Sequence, residues 1–195
     1  MNTTIFLSTF GIIFLAEIGD KTQLTAMTLS THYPWRRVFT GVALAFALLN
    51  LGAVVIGGVL FSLLPVFWIK LVSGLLFLFF GVTSLRTKSF DEGEEEAEER
   101  KFKGHGPVFT SFFMIVFAEI GDKTQLVTAS LAAQHHGSFA VFAGSTLALW
   151  SVSLLGIFAG RQLTRWIPLP VIHKGAGFLF LIFGSVILFQ AFFVK

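Results

Sequence analysis

The chain has 195 residues, of which 54% are hydrophobic and only 13% charged, and it contains no cysteine. A composition of this kind, with a mean hydropathy of +0.80, belongs in lipid and excludes a water-soluble domain, while the missing cysteines exclude disulfides and thiolate metal ligands. The net charge of +3 does not point to nucleic acid, because the lysines and arginines fall mostly in short breaks between apolar stretches, where they set membrane orientation.

Six apolar stretches are predicted as membrane helices of ~20 residues or a little more. The first, Ile5–Leu29, lacks a preceding basic region and a small-residue cleavage site before Glu17, so it reads as a retained helix and not as a signal peptide. It holds the run Ala16-Glu17-Ile18-Gly19-Asp20-Lys21-Thr22-Gln23-Leu24. After the break His32–Arg37 comes Val38–Leu60, which contains Asn50, and after Pro65 comes Val66–Leu85. A polar segment follows, with seven of the eleven acidic residues between Asp91 and Glu99. The fourth stretch, Val108–Leu131, repeats the first one's motif as Ala118-Glu119-Ile120-Gly121-Asp122-Lys123-Thr124-Gln125-Leu126. His135-His136-Gly137 ends it and reads as a polar loop. Phe139–Gly160, with Ser151 and Ser153, and Pro170–Phe193 complete the set, separated by Arg161–Pro168. The chain thus divides into 1–85, an acidic linker 86–107, and 108–195.

The repeat extends through both halves. Glu17 aligns with Glu119, and one inserted residue later Gly41 aligns with Gly144, Gly74 with Gly177 and Gly81 with Gly184. Each half is therefore three helices. Three is odd, so the second half enters the membrane from the opposite side. The expected fold is an all-α integral membrane protein of six transmembrane helices in two inverted three-helix repeats, an architecture of secondary transporters. Arg36, Arg37, Arg86, Lys88, Arg100, Lys101, Lys103, Arg161 and Arg165 all lie in the odd-numbered loops, against Lys195, Lys70 and Lys174 on the other side. The odd loops should then be cytoplasmic and both termini external.

The four remaining acids carry the functional signal. A carboxylate in hydrocarbon costs roughly 2.5–3.5 kcal/mol on insertion scales, and Glu17, Asp20, Glu119 and Asp122 incur that cost in two identical settings. On a continuous helix Glu17, Asp20 and Lys21 would share one face, as would Glu119, Asp122 and Lys123. Glu17 lies about 18 Å of helix rise past Ile5, near the midplane, and Glu119 reaches a matching depth from the other side. Thr22, Gln23, Thr124 and Gln125 add hydroxyl and amide oxygens, and Gly19 and Gly121 permit a helix break. Asn50 and its aligned Ser153 are candidates to line a path, with a packing hydrogen bond as the alternative. Four carboxylates and two lysines sum to −2, a charge cancelled by one divalent cation or by two protons. An all-oxygen ligand set favours hard ions such as Mn2+ and Ca2+. Each lysine can stand in for the cation when the site is empty.

The doubled E-x-G-D-K-T in a six-helix chain with an acidic central loop resembles the GDT-type cation transporters, including bacterial manganese exporters of the Mne/Mnx kind. The resemblance spans the whole chain. It implies export of Mn2+, and of Ca2+ as a further substrate, in exchange for protons across a bacterial plasma membrane, with Glu17, Asp20, Glu119 and Asp122 as the cation site. No prosthetic group is implied; the metal is cargo. Two other readings remain. An exporter of amino acids or other small organic solutes would want a place for a substrate carboxylate, which four acids oppose. An intramembrane aspartyl protease would use Asp20 and Asp122, but the lysine after each works against the shared proton such a dyad needs.

Overall fold

The computed structural model describes residues 2–86, 106–135, 139–166 and 169–193. The acidic run, His136 and Lys195 lie outside the described residues, and so do the side chains of Lys21, Arg161, Arg165 and His173. The described chain is all-helical: α1 (Thr3–Glu17), α2 (Lys21–His32), α3 (Trp35–Leu63), α4 (Val66–Arg86), α5 (Pro107–Glu119), α6 (Lys123–Gln134), α7 (Phe139–Trp166) and α8 (Leu169–Phe193). Four of these contain spans long and apolar enough to cross a membrane, Trp35–Leu63, Val66–Leu85, Phe139–Phe158 and Lys174–Phe193, whereas α1 and α5 are apolar but shorter.

The first and fourth apolar stretches are thus each two helices and not one. Ile18 and Ile120 turn extended (φ −60°, ψ 123° and φ −63°, ψ 117°), and Gly19 and Gly121 follow at φ 77° and 81°. Glycine alone enters that left-handed region without a Cβ penalty. The shared helix face expected for Glu17, Asp20 and Lys21, and for their counterparts, is corrected by this geometry, since each helix stops at the glutamate and restarts at the lysine.

Close approaches at glycine set the packing. A Cβ on Gly41 of α3 would strike the Ser111 side chain and the backbone at Val108 and Phe112 in α5, and one on Gly57 would strike Ala129, Ala132 and Ala133 of α6. In the same way Gly144 of α7 sits against Phe6, Thr9 and Phe10 of α1, and Gly156 against Gln23 of α2. Sequence number rises together on both sides of these contacts. So α1 and α2 run in succession along α7, and α5 and α6 along α3: each broken segment lies on the long helix of the other half.

The helices α4 and α8 meet each other. Gly74 faces Gly184 and Gly81 faces Gly177, so the two run antiparallel. Between these glycine pairs the buried rings of Phe77 and Phe180, which occupy the same aligned position, meet edge to face with centroids 5.7 Å apart. Apolar side chains form both the core and much of the outer surface. Leu44, Leu48, Leu51, Val55, Ile56 and Val59 of α3 are exposed, while Glu17, Asp20, Glu119, Asn50 and Thr128 are buried.

Candidate cation site

Both helix breaks are built alike. Asp20 N–H donates to the Glu17 carbonyl at 3.1 Å, and Asp122 N–H to the Glu119 carbonyl at 3.0 Å. The N–H of Gly19 reaches the Gln23 side chain, Oε1 accepting at 2.6 Å, and Gly121 repeats this with Gln125 at 3.1 Å. These turns leave a glutamate at the end of one helix and an aspartate at the start of the next, separated by two residues.

Carboxylate oxygens of Glu17, Asp20 and Asp122 come within 4.8 Å of one another, drawing on both repeats. Glu17 and Asp20 are buried and Asp122 is half-buried. Opposite ligands around an ion bound at 2.3–2.6 Å are about 4.6–5.2 Å apart, against about 4.2 Å for Mg2+. Three oxygens gathered within that span are close enough to ligate one hard divalent ion once the Lys123 ammonium gives way. Lys123 donates to Asp20 Oδ2 and lies 3.8 Å from Glu17 Oε1, an oxygen that is buried without a hydrogen bond. The pairing crosses between repeats: the second repeat's lysine serves the first repeat's acids.

Glu119, buried at 4% exposure, is engaged differently. Its Oε1 accepts from the Thr22 hydroxyl, so Thr22 of the first repeat holds the glutamate of the second. Thr124 is buried beside the second break. Of the path candidates, Asn50 donates to Thr146 Oγ1 at 3.2 Å and Ser153 to its own helix at the Leu149 carbonyl, 2.8 Å away. Thr146 had no signal in the sequence, because its aligned position in the first half is Ala43 and the repeat pattern therefore passes over it. The buried carboxylates of Glu17 and Asp20 with half-buried Asp122 form a group of oxygens that could hold a hard cation.

Comparison with known proteins agrees with this chemistry. The sequence profile of the family described as "Divalent cation/proton antiporter GDT1" matches residues 5–92 and again 107–194. A GDT1-like protein of Synechocystis is 31% identical over 94% of this chain and 96% of its own length. A Vibrio cholerae protein whose given name proposes manganese export is 34% identical over 87% of this chain and 83% of its own. A chloroplast homologue of PAM71 from Arabidopsis thaliana is 28% identical over 96% of this chain and 60% of its own. No solved structure matches the chain.

Proposed function

The chain belongs to the GDT1 family of divalent cation/proton antiporters, a multi-pass membrane transporter and not an enzyme, and we propose that it exports Mn2+, with Ca2+ as a second substrate, from the bacterial cytoplasm in exchange for protons. The observation that carries this reading is the convergence of Glu17, Asp20 and Asp122, one site made from both repeats. Glu119, held by the Thr22 hydroxyl, is the fourth acid in this reading and lies outside that trio. The ion is cargo and no prosthetic group takes part. The similarity to the Vibrio cholerae protein favours manganese.

In this reading α1–α2 and α5–α6 are each one broken membrane crossing. The chain then crosses six times, as two inverted repeats, 1–85 and 108–195, joined by a cytoplasmic acidic linker, with both termini outside. The antiparallel α4–α8 contact through Gly74–Gly184 and Gly81–Gly177 supports the inversion, since repeats related by an axis along the membrane normal would bring these helices together parallel. Broken helices with polar groups at the break are the usual setting of ion sites in inverted-repeat transporters.

The exchange follows from charge. With four carboxylates and two lysines the empty site sums to −2, and Lys123 keeps it tolerable in lipid by lying on Asp20 and Glu17. An arriving divalent cation displaces the ammonium and neutralises the carboxylates. On the other side protons replace the cation, so an inward proton gradient drives the metal out. The test is purified protein in liposomes with an imposed pH gradient. Mn2+ should move against the proton flow, with Ca2+ competing and Mg2+ competing poorly. Transport of Mn2+ that is indifferent to the pH gradient would remove the antiport reading, and no metal movement at all would remove the substrate.

A further inference from the structure

The glutamine that follows each Lys-Thr pair belongs to neither the ion pair nor the carboxylate cluster, yet it makes the same contact twice. Gln23 Oε1 accepts the Gly19 N–H at 2.6 Å and Gln125 Oε1 accepts the Gly121 N–H at 3.1 Å. In an unbroken helix that N–H would bond to the carbonyl four residues back. Beyond an extended isoleucine, with the glycine at positive φ, that partner is out of reach. A bare N–H shut away from water costs several kcal/mol; the Gly19 contact is buried and the Gly121 contact exposed.

The glutamine sits third in the helix that follows, where Gln or Glu ordinarily reaches back to the N-cap N–H while the N-cap side chain caps the helix. Both halves of that arrangement are altered here. The aspartate N–H already donates to the glutamate carbonyl in both repeats, and the glutamine reaches one residue further, to glycine. The side chain of Asp122, the N-cap of α6, makes no capping hydrogen bond, although aspartate at this position ordinarily spends its carboxylate on the N2 or N3 N–H. Its oxygen instead joins those of Glu17 and Asp20. The Gln125 Nε2 is buried without a hydrogen-bond partner, so the contact that fixes this side chain is the one made by its oxygen.

We propose that Gln125 is a positioning residue of the cation site: it locks the left-handed break through the Gly121 N–H and so keeps Asp122 turned toward the ion instead of toward its own helix, and Gln23 holds the Gly19 break by the same contact. The inference rests on the reading that these carboxylates bind the transported cation.

The test is Mn2+ binding to the purified full chain in detergent, with free Mn2+ followed by electron paramagnetic resonance. Gln125→Met keeps the side-chain length but removes the acceptor, and should weaken binding by roughly tenfold or more, as loss of an outer-shell partner does. Gln125→Glu retains an acceptor oxygen and should stay within about threefold of wild type by the same reasoning. The decisive comparison is in an Asp122→Asn background. There Gln125→Met should cost less than about threefold further, because the ligand it positions is already gone. Unchanged affinity in Gln125→Met, or its full tenfold loss on top of Asp122→Asn, overturns the inference. Should Gln125→Met fail to fold, Gln125→Leu, alone and with Asp122→Asn, makes the same comparison. A wild-type protein that binds Ca2+ but not Mn2+ would remove manganese alone, and the same series read with radiolabelled Ca2+ would still decide the role of Gln125. Binding of neither ion would overturn both readings.

Discussion

Lys123 of the second repeat lies on Asp20 of the first, with Glu17 3.8 Å away. On the proposed site the ammonium and an incoming cation would compete for the same carboxylates. Lys123→Met should therefore bind Mn2+ more tightly, by roughly tenfold, a modest share of the few kcal/mol that a charge pair at about 4 Å is worth in a partly screened site. Net export should nevertheless slow, because the empty carrier has lost its internal counter-ion. Equilibrium binding and proteoliposome flux measured side by side check this. Weaker binding in Lys123→Met would mean that the lysine supports the metal instead of opposing it.

The four acids are not equivalent in this arrangement, and their neutral forms should separate. Asp20→Asn, Asp122→Asn and Glu17→Gln each remove charge from the converging cluster and should lower Mn2+ affinity by about a hundredfold, the scale of a lost charge within contact distance. Glu119 is held by the Thr22 hydroxyl, so Glu119→Gln should abolish export while leaving equilibrium binding within roughly tenfold of wild type. Isothermal titration with Mn2+ distinguishes the two classes. Equal loss of binding in all four would place Glu119 in the cluster as well.

Orientation is open to labelling, since the chain has no cysteine of its own. Thr31→Cys, near the end of α2, and Gln134→Cys, at the end of α6, occupy equivalent ends of the two repeats, which the proposed inversion puts on opposite sides. An impermeant thiol reagent applied to intact cells should modify Gln134→Cys and spare Thr31→Cys. The reverse pattern would invert the topology, with both termini in the cytoplasm, and leave the direction of exchange to the ion gradients.

The glycine crossings offer a test with internal controls. Gly41→Ala and Gly144→Ala place a Cβ onto neighbouring backbone in α5 and α1, whereas Gly11 and Gly52 have open space around the same position. Overpacking of this kind costs about 1–3 kcal/mol, so the first pair should lower the melting temperature by roughly 2–10 °C. Gly11→Ala and Gly52→Ala should leave it unchanged or raise it slightly. Similar melting temperatures in all four variants would disprove the tight crossings.

Much of this architecture was legible in sequence because it is written twice. The aligned glycines Gly41/Gly144, Gly74/Gly177 and Gly81/Gly184 became the helix contacts, and the buried acids stood out against a hydrocarbon background. What the sequence did not convey depends on distance in space. Spacing along a helix suggested that Lys123 shares a face with Glu119, but the left-handed Gly121 breaks that helix and sends the ammonium to the other repeat. The Asn50–Thr146 bond was hidden because only one of the two halves carries the threonine. The exemption of Asp122 from capping was equally invisible, since Asp-x-x-Gln at a helix start reads as an ordinary capping box.

The arrangement of α1–α2 along α7 and α5–α6 along α3 has a consequence for how the molecule holds together. Neither half is a folding unit, because each keeps its glycine-faced long helix for the other's broken segment. A half made alone would leave the glycine face of that long helix without the broken segment that covers it. On the proposed inverted arrangement the two halves are held by each other more than by the connector, and severing that connector should leave a pair that still migrates as one particle.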